Sequence, residues 1–170
     1  IVELDALEAN IAGMARYAQA HGVRLPPHFK THKCVEIARR QIAAGAVGLC
    51  CQKVSEAEVL VSGGIQGILL TNQVLAPAKL DRFMRPADHA CVGVCVDSLA
   101  GMEALLARRP VSSVDVYVEL DVGAGRCGVD DPASILDLAR LIADQRHLRF
   151  GFNHLCPHLL GFGEHLLLTC

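Results

Sequence analysis

Tryptophan is absent from this chain of 170 residues, and all aromatic residues together make up only 4% of it. The chain also lacks an excess of positive charge, since 16 Lys and Arg stand against 18 Asp and Glu. Proteins that bind nucleic acids usually combine a basic surface with aromatic side chains that stack on bases. The composition therefore predicts a protein that does not bind nucleic acid.

Long apolar runs are missing as well. A run such as residues 90–96 has the length of a strand and falls far short of the roughly 18 residues of a membrane-spanning helix. The start of the chain does not resemble a secretory signal, and because it is Ile1 and not Met, we expect the sequence to begin inside a longer chain. With 52% hydrophobic and 20% charged residues, the chain is predicted to be a cytoplasmic globular protein without membrane contact.

The eight cysteines do not form a recognisable motif. A disulfide scaffold is usually short and rich in loops, and this chain is neither. Cys50, Cys51, Cys91 and Cys95 lie in apolar strand-like segments, where a reduced thiol behaves as a small hydrophobic side chain. Because Cys91 and Cys95 have neither a CxxC spacing nor a His partner at a ligand-like interval, a structural zinc site is not indicated. Buried reduced thiols are the favoured interpretation.

Helix-like and strand-like segments alternate along the chain. Helices are predicted at residues 5–21, 35–44, 55–62, 77–84, 98–108 and 132–143, and strands at 23–29, 46–51, 67–70, 90–96, 114–120 and 148–152. Pro77 and Pro132 are typical first residues of a helix, and Ser98 is a typical N-cap. Because the strands are nearly continuous apolar runs, they predict a parallel sheet that is covered on both faces.

Two architectures fit this alternation: an open doubly wound sheet and a (β/α)₈ barrel. No GxGxxG motif follows the first predicted strand, which weakens the dinucleotide-binding open sheet. Active sites of barrels lie at the carboxyl ends of the strands. Five predicted strands end in polar residues, although any one of them would also fit the simple start of a loop: Lys30, Gln52 and Lys53, Thr71 and Asn72, Asp97 and Ser98, Glu119 and Asp121. The barrel is favoured, with about six of its strands in this chain.

The densest group of reactive side chains is the segment 27–33, Pro-His-Phe-Lys-Thr-His-Lys. On an extended strand His28, Lys30 and His32 would share one face, because alternate residues do. A lysine that faces packed side chains loses its solvation and becomes a nucleophilic amine suited to a Schiff base. A solvated basic loop explains the same residues equally well, and two histidines alone make a weak metal site.

A second segment, 119–129, runs from an apolar strand into a loop with three glycines and Arg126. Glycines allow tight bends and a close approach to a ligand, and an arginine there can donate directed hydrogen bonds to an oxyanion. An ordinary turn with a surface arginine is the alternative. Elsewhere, Ser55 and Glu58 fit a capping box at a helix start, which would explain both residues without a function.

Four separated motifs resemble one family of pyridoxal-phosphate (PLP) enzymes of fold type III, the D-threonine aldolase and D-serine dehydratase-like family. They are HFKTHK at 28–33, CCQKVSEAE at 50–58, LTNQV at 70–74 and DVGAGRCGV at 121–129. The second and fourth look most similar to the 3-hydroxy-D-aspartate aldolase branch. Order and spacing agree over residues 1–150, which makes the resemblance specific.

The resemblance implies that residues 1–150 form part of a PLP-binding (β/α)₈ TIM-type barrel of the alanine racemase N-terminal kind. It implies that Lys30 is the catalytic residue that forms a Schiff base with PLP, and that Arg126 lies against the cofactor ring. His28, Thr31 and Asn72 complete the expected cofactor-binding set. The substrate would be a β-hydroxy-D-amino acid, such as D-threonine or 3-hydroxy-D-aspartate, cleaved to glycine and an aldehyde. Family members are homodimers, and a C-terminal domain holds a divalent metal.

Two features depart from the family pattern. Pro26 and Pro27 precede the lysine segment, where the family usually has an Arg or another polar residue. From residue 151 onwards the similarity stops, and neither a glycine-rich phosphate loop nor the metal-bearing domain follows. We expect residues 151–170 to be a divergent tail from a truncated or frame-shifted reading frame. Its histidines are not expected to bind a metal: His154, His158 and His165.

The reaction is left open by the sequence. A D-serine dehydratase-like ammonia-lyase shares this half of the barrel with an aldolase and is the first alternative. A non-catalytic PLP-binding or inactive fragment is another, because an incomplete barrel leaves unpaired strand edges. An alanine racemase-like enzyme is less favoured, since its lysine motif differs. We expect the isolated chain to have no aldolase activity.

Overall fold

The computed structural model of the chain describes residues 2–110 and 112–154, with the backbone alone for 151–154. The helices of these ranges are α1 (Leu4–Ala20), α2 (Val35–Ala43), α3 (Val54–Ser62), α4 (Pro77–Met84), α5 (Leu99–Leu106) and α6 (Pro132–Ala143). The strands are β1 (Leu49–Cys51), β2 (Gly67–Leu70), β3 (Cys91–Val96), β4 (Val114–Leu120) and β5 (Leu148–His154). Two short 3₁₀ turns lie at Phe29–Thr31 and Arg85–Asp88. In the described ranges no helix is both long and apolar enough to cross a membrane.

The sheet is parallel and follows the chain order β1-β2-β3-β4-β5 without a reversal. A doubly wound sheet changes direction at a switch point, whereas the strands of a barrel follow one another around its wall. Right-handed crossovers between neighbours also place the connecting helices on one face of such a sheet. The structure therefore confirms the predicted barrel wall and shows that it is incomplete in the described residues.

Local sequence signals set the helix ends as expected. Pro77 and Pro132 occupy the first turns of α4 and α6. The hydroxyl of Ser98 accepts a hydrogen bond from the amide of Gly101, and the carboxylate of Asp131 accepts one from the amide of Ser134. These side chains satisfy amide groups that a helix start leaves without a partner inside the helix.

The first predicted strand, 23–29, is wrong as a full strand. It is reduced to a single parallel bridge between His28 and Cys50. Two backbone hydrogen bonds hold this segment: the amide of Val47 donates to Leu25 O at 3.2 Å, and the amide of Cys50 donates to Pro27 O at 2.8 Å. Pro26 and Pro27 have no N–H to return such bonds, so a regular ladder cannot form there. Within residues 2–110 and 112–154 the sheet thus has five strands, where six were predicted.

The predicted capping box is also wrong. Helix α3 begins at Val54 with Lys53 as its N-cap, so Ser55 lies inside the first turn. Glu58 instead forms an ion pair with Arg82 on α4, which lowers the pKa of the Glu58 carboxyl. The carboxylate of buried Glu56 accepts a hydrogen bond at 2.9 Å from the amide of Gln52, the residue before the N-cap, and so holds the segment that enters α3.

The two faces of the sheet have different characters. One face packs against the helices and forms the main core, which includes alternate residues of three strands: Ile68 and Leu70, Val92, Val94 and Val96, Val114, Val116 and Val118. The other face, which lines the inside of the barrel wall, holds a smaller cluster of Leu69, Cys95 and Tyr117. Buried Asp115 and Glu119 alternate with Tyr117 on this same face. The inner face of β4 is therefore where the strand carries its polar side chains.

Gly93 allows the inner face to close around Tyr117. A Cβ atom at Gly93 would lie 2.8 Å from Cε2 of Tyr117 and 3.1 Å from Cδ1 of Leu69. We expect Gly93→Ala to lower the free energy of unfolding by about 1–3 kcal/mol, as overpacking of a filled core usually does. Urea unfolding would measure this loss, and Gly13→Ala in α1, where no atom lies within 4 Å of the added methyl, is the matched control. Equal behaviour of the two variants would contradict the assigned packing.

Candidate active site

The carboxyl ends of the parallel strands meet at one edge of the sheet, and all predicted site residues lie there. Lys30 follows the His28–Cys50 bridge, Asn72 follows β2 and Arg126 lies in the loop after β4. This edge is where barrel enzymes carry their active sites. How the side chains are held at this edge decides which of them can act together.

Lys30 lies in a 3₁₀ turn, not on a strand. The turn spans Phe29–Thr31, with Phe29 buried and Lys30 and Thr31 exposed. The expectation that Lys30 faces packed side chains is therefore wrong, as is the expectation that His28, Lys30 and His32 alternate along a strand. The two prolines before the turn interrupt the strand, and the buried ring of Phe29 turns its neighbour outwards. Lys30 can thus reach a ligand at the mouth of the wall.

His28 connects the Lys30 turn to the sheet. Its Nδ1 accepts a hydrogen bond from the amide of Lys30 at 3.2 Å, and its Nε2 lies 3.2 Å from Oγ1 of Thr71 at the end of β2. The Thr71 hydroxyl donates to Cys51 O at 3.1 Å. Burial lowers the pKa of His28 from its ordinary value, and the nearby Lys30 charge lowers it further, whereas Glu56 opposes the shift.

The residues after β2 link the Lys30 side of the edge to the Arg126 side. Asn72 is exposed, and its side-chain amide donates to Gln52 O at 3.3 Å. Gln73 donates a short hydrogen bond to the carboxylate of Glu119 on β4. The segment 71–73 therefore contacts His28 at one end and the base of the Arg126 loop at the other.

Glu119 is the buried acid at the base of this loop, with 3% of its surface exposed. One carboxylate oxygen accepts from Gln73, and the other accepts from the thiol of Cys127 at 3.3 Å. Burial raises the pKa of the Cys127 thiol, and its hydrogen bond to Glu119 raises it further. Cys127 is thus held as a neutral donor, which fits an anchoring contact better than a reactive thiolate.

The loop that carries Arg126 is shaped by acids and glycines. Oδ1 of Asp121 accepts hydrogen bonds from the amides of Gly123 at 2.9 Å and Gly125 at 3.1 Å, and these bonds lower the pKa of the Asp121 carboxyl. The amide of Gly128 donates to Asp97 at 3.2 Å. The predicted tight bends are confirmed, since all three glycines have positive φ. Arg126 itself is exposed at the outer part of the loop.

Lys33 is a neighbour of Lys30 with a separate role. Its Nζ lies 3.6 Å from buried Glu56, and its backbone has a φ of 51°. The Glu56 carboxylate that accepts from the amide of Gln52 therefore also neutralises the second lysine of the motif. Lys30 makes no such ion pair within the described residues.

Sequence reasoning named Thr71 and Glu119 only as polar ends of strands and did not include them in the site. Gln73, Cys127 and Asp97 were likewise missing from the predicted set. Their hydrogen bonds join residues that are 31 to 46 positions apart, or close a loop within one segment, and no spacing rule reports such pairs. The signal that was available was their position at the ends of strands that face the same edge.

A cleft lies elsewhere on the molecule. It has a volume of about 760 Å³ and lies between α1, residues 23–27 and the end of α2. Lys30, Thr71, Asn72 and Arg126 do not line it. It belongs to the side of the wall where the first strand lacks a regular ladder, so we do not assign it to the active site.

The side chains at the edge fit PLP in kind. An exposed primary amine and an exposed guanidinium are the groups that bind an aldehyde covalently and a phenolate or carboxylate by directed hydrogen bonds.

Among residues 2–110 and 112–154, no group of three His, Cys, Asp or Glu side chains is arranged to hold a metal ion. In the same ranges Cys34, Cys50, Cys51 and Cys127 are free thiols, and burial raises the pKa of Cys50 to about 11.

Comparisons with known proteins agree with one another. The family model of the alanine racemase N-terminal domain matches residues 2–160. The 3-hydroxy-D-aspartate aldolase of Paracoccus denitrificans is 45% identical over 154 residues, which are 88% of this chain and 40% of that protein. The crystal structure of D-threonine aldolase from Filomicrobium marinum superposes with a TM-score of 0.85 at 44% identity, over 89% of this chain and 42% of that one. The D-threo-3-hydroxyaspartate dehydratase of Delftia sp. HT23 gives 0.80 at 34% identity, over 90% and 41%. The chain thus spans about 40% of the length of such relatives.

Proposed function

Because the chain belongs to the family of the alanine racemase N-terminal domain, we propose that it is part of a PLP-dependent lyase acting on β-hydroxy-D-amino acids. The substrate class is supported by the relatives named 3-hydroxy-D-aspartate aldolase and D-threonine aldolase, each 45% identical to the chain. In this proposal D-threonine or 3-hydroxy-D-aspartate is cleaved to glycine and an aldehyde.

One observation carries the proposal. The exposed amine of Lys30 and the exposed guanidinium of Arg126 lie at the same edge of the sheet, and the segment 71–73 connects the segments that carry them. Thr71 contacts His28, and Gln73 donates a hydrogen bond to Glu119, which also accepts one from Cys127. The two groups that would hold the cofactor are thereby fixed to one rigid wall, which is what a precisely positioned site requires.

Each predicted residue has a defined part in this proposal. Lys30 Nζ is the amine that holds the cofactor and takes up or releases the proton at that atom when substrate replaces it. Arg126 supplies a fixed positive charge and directed N–H donors for the ring side of the cofactor. Thr31 and Asn72, both exposed beside Lys30, supply polar contacts at the mouth. When bound, PLP acts as the electron sink that makes cleavage at the substrate α-carbon possible.

A dehydratase is the second candidate. The observation that favours it is the superposition with the dehydratase of Delftia sp. HT23, with a TM-score of 0.80. The wall that carries Lys30 and Arg126 is common to that fold and to the aldolase fold.

In either case we propose that a divalent metal and the dimer partner contribute to the whole enzyme, and that the isolated chain shows no turnover. Residues 151–170 were predicted to be a divergent tail. Residues 155–170 of this range lie outside the described residues, and the boundary at residue 151 stays a prediction.

The proposal is tested by reductive labelling of the four lysines: Lys30, Lys33, Lys53 and Lys79. The chain is mixed with PLP and reduced with borohydride, and the labelled peptides are quantified by mass spectrometry. We expect most of the label on Lys30, at least about fivefold above exposed Lys79 on α4, because only Lys30 lies at the proposed site. Lys30→Arg should abolish the preferential labelling at position 30, whereas Lys33→Arg, the matched control two residues beyond the turn, should preserve the label on Lys30. Even labelling of all four lysines would refute the proposal for this chain.

A further inference from the structure

A continuous line of hydrogen bonds runs from the backbone of Lys30 to the backbone of β1. The amide of Lys30 donates to Nδ1 of His28, Nε2 of His28 contacts Oγ1 of Thr71, and the Thr71 hydroxyl reaches Cys51 O. The distances are 3.2, 3.2 and 3.1 Å. The imidazole therefore lies between the turn that carries Lys30 and the end of the neighbouring strand.

Only one protonation state of His28 satisfies all three contacts. A carbonyl oxygen can only accept, so the single hydroxyl proton of Thr71 is used towards Cys51 O. The Thr71 oxygen is then left as an acceptor, and His28 must donate from Nε2. The other ring nitrogen must carry a lone pair, because it accepts from the amide of Lys30. This is the neutral imidazole with its proton on Nε2.

The direction of Lys30 depends on this contact. The turn is three residues long, and its lysine side chain is exposed. The backbone bonds of the turn come from Thr31, His32 and Lys33, at 3.4, 3.2 and 2.8 Å, and leave the Lys30 amide to His28. Losing the acceptor at Nδ1 would free the amide at the residue whose side chain is proposed to act.

We propose that His28 is a positioning residue for Lys30, and that Thr71 holds it in the Nε2–H form that the turn requires. The proposal rests on the proposed function of Lys30, but its structural half can be tested without the cofactor. It assigns to Thr71, at the end of β2, an effect on Lys30 that passes through the imidazole.

The proposal carries a pH dependence with a defined sign. The charged groups acting on His28 are Lys30 on its own turn and Glu56 on α3, and together with burial they leave its pKa below the ordinary 6.5. Since the folded pKa is lower than the unfolded one, the stabilisation by neutral His28 is complete above pH 6.5 and is lost as the pH falls through the folded pKa. Protonation places a hydrogen on Nδ1, which then no longer accepts from the amide of Lys30.

The first test uses the whole chain without PLP and compares Thr71→Val with Thr71→Ser. Serine keeps the hydroxyl acceptor, whereas valine keeps the shape and removes it. We expect ¹⁵N NMR of the His28 ring to show the Nε2–H form in the parent chain and in Thr71→Ser, and a mixture of both forms in Thr71→Val. The Lys30 amide should exchange its hydrogen about five- to tenfold faster in Thr71→Val, as the weakening of one hydrogen bond implies. The Nδ1–H form in the parent chain, or equal exchange in both variants, would overturn the proposal.

The second test asks whether protonation of His28 changes the reaction of Lys30 with PLP. The ratio of PLP label on Lys30 to that on Lys79 is measured after borohydride reduction from about pH 5 to about pH 8, the range in which histidine titrates. The ratio should fall below pH 6.5 in the parent chain. It should stay level in His28→Asn, whose Oδ1 occupies the position of Nδ1 but does not titrate. The same pH profile in both would overturn the positioning role. If Lys30 is not labelled above Lys79 in the parent chain, the proposed function fails, and the NMR and exchange results still decide how His28 acts on the turn.

Discussion

Gly128→Ala is expected to destabilise the protein by about 2–5 kcal/mol, the sum of a backbone strain and a collision. Gly128 has a φ of +107°, and an added Cβ would lie 2.4 Å from Asp121 N and 2.5 Å from Leu120 C. Both neighbours are backbone atoms at the base of the Arg126 loop, so they cannot move aside as a flexible side chain would. The loss is measured as the free energy of unfolding in urea.

Gly123→Ala is the matched control for this prediction. Gly123 has nearly the same φ, +106°, but no atom lies within 4 Å of its added Cβ. It therefore reports the strain alone, about 1–3 kcal/mol, and the difference between the two variants reports the collision. If Gly123→Ala and Gly128→Ala lost equal stability, the close approach of Gly128 to Asp121 would be refuted.

Phe29→Ala is expected to cost about 3–5 kcal/mol and to remove the preferential labelling of Lys30. Phe29 has 2% of its surface exposed and is the only buried residue of the turn that carries Lys30. Its ring also meets the ring of His32 edge-on, with centroids 5.4 Å apart. Without this ring the turn loses the contact that holds it on the wall, and Lys30 is no longer directed to the site.

Two further variants separate the loss of stability from the loss of direction. Phe83→Ala empties a fully buried position in α4 and should cost a similar free energy while leaving the Lys30 to Lys79 labelling ratio of the folded protein unchanged. Phe29→Leu retains most of the apolar volume, should cost less than about 1.5 kcal/mol, and provides a folded protein in which the turn can be studied. If Phe83→Ala reduced the labelling ratio as much as Phe29→Ala, the turn would have no special role.

Hydrophobic periodicity and helix-capping residues predicted most of the helices and strands correctly, because these effects act within a few residues of the chain. Pro77, Ser98 and Pro132 act on the helix turn that follows them, and the structure places them as expected. The apolar runs of β3 and β4 are buried at nearly every position, on both faces of a parallel sheet, which is the arrangement that such runs indicate.

The prediction of the first strand was wrong because the segment has the apolar composition of a strand but lacks the N–H donors that a strand needs. Residues 23–29 are apolar enough for a strand, but Pro26 and Pro27 remove two donors in succession. The same interruption moves Lys30 from the predicted strand into a turn. The sequence did contain this signal, since the two prolines also mark a departure from the family pattern.

The contacts of the candidate site could not be predicted, because they join segments that only the fold brings together. Ser55 and Glu58 have the spacing of a capping box, yet Glu58 lies opposite Arg82 and Glu56 opposite Lys33. Helix α3 begins two residues earlier than the motif suggests, with Lys53 and not Ser55 as its N-cap, so Glu58 does not occupy the position that a capping box requires. Glu119 with Gln73, and His28 with Thr71, are pairs of the same kind.

Alternate residues of strand β4 have two different roles. Val114, Val116 and Val118 hold the wall to its helices, while Asp115, Tyr117 and Glu119 occupy the inner face of the barrel. The residues of β4 that pack against the helices and the residues that face the inside of the barrel wall are therefore different residues of one strand. Relatives named aldolase and dehydratase can accordingly share one wall and differ in what they do at its rim.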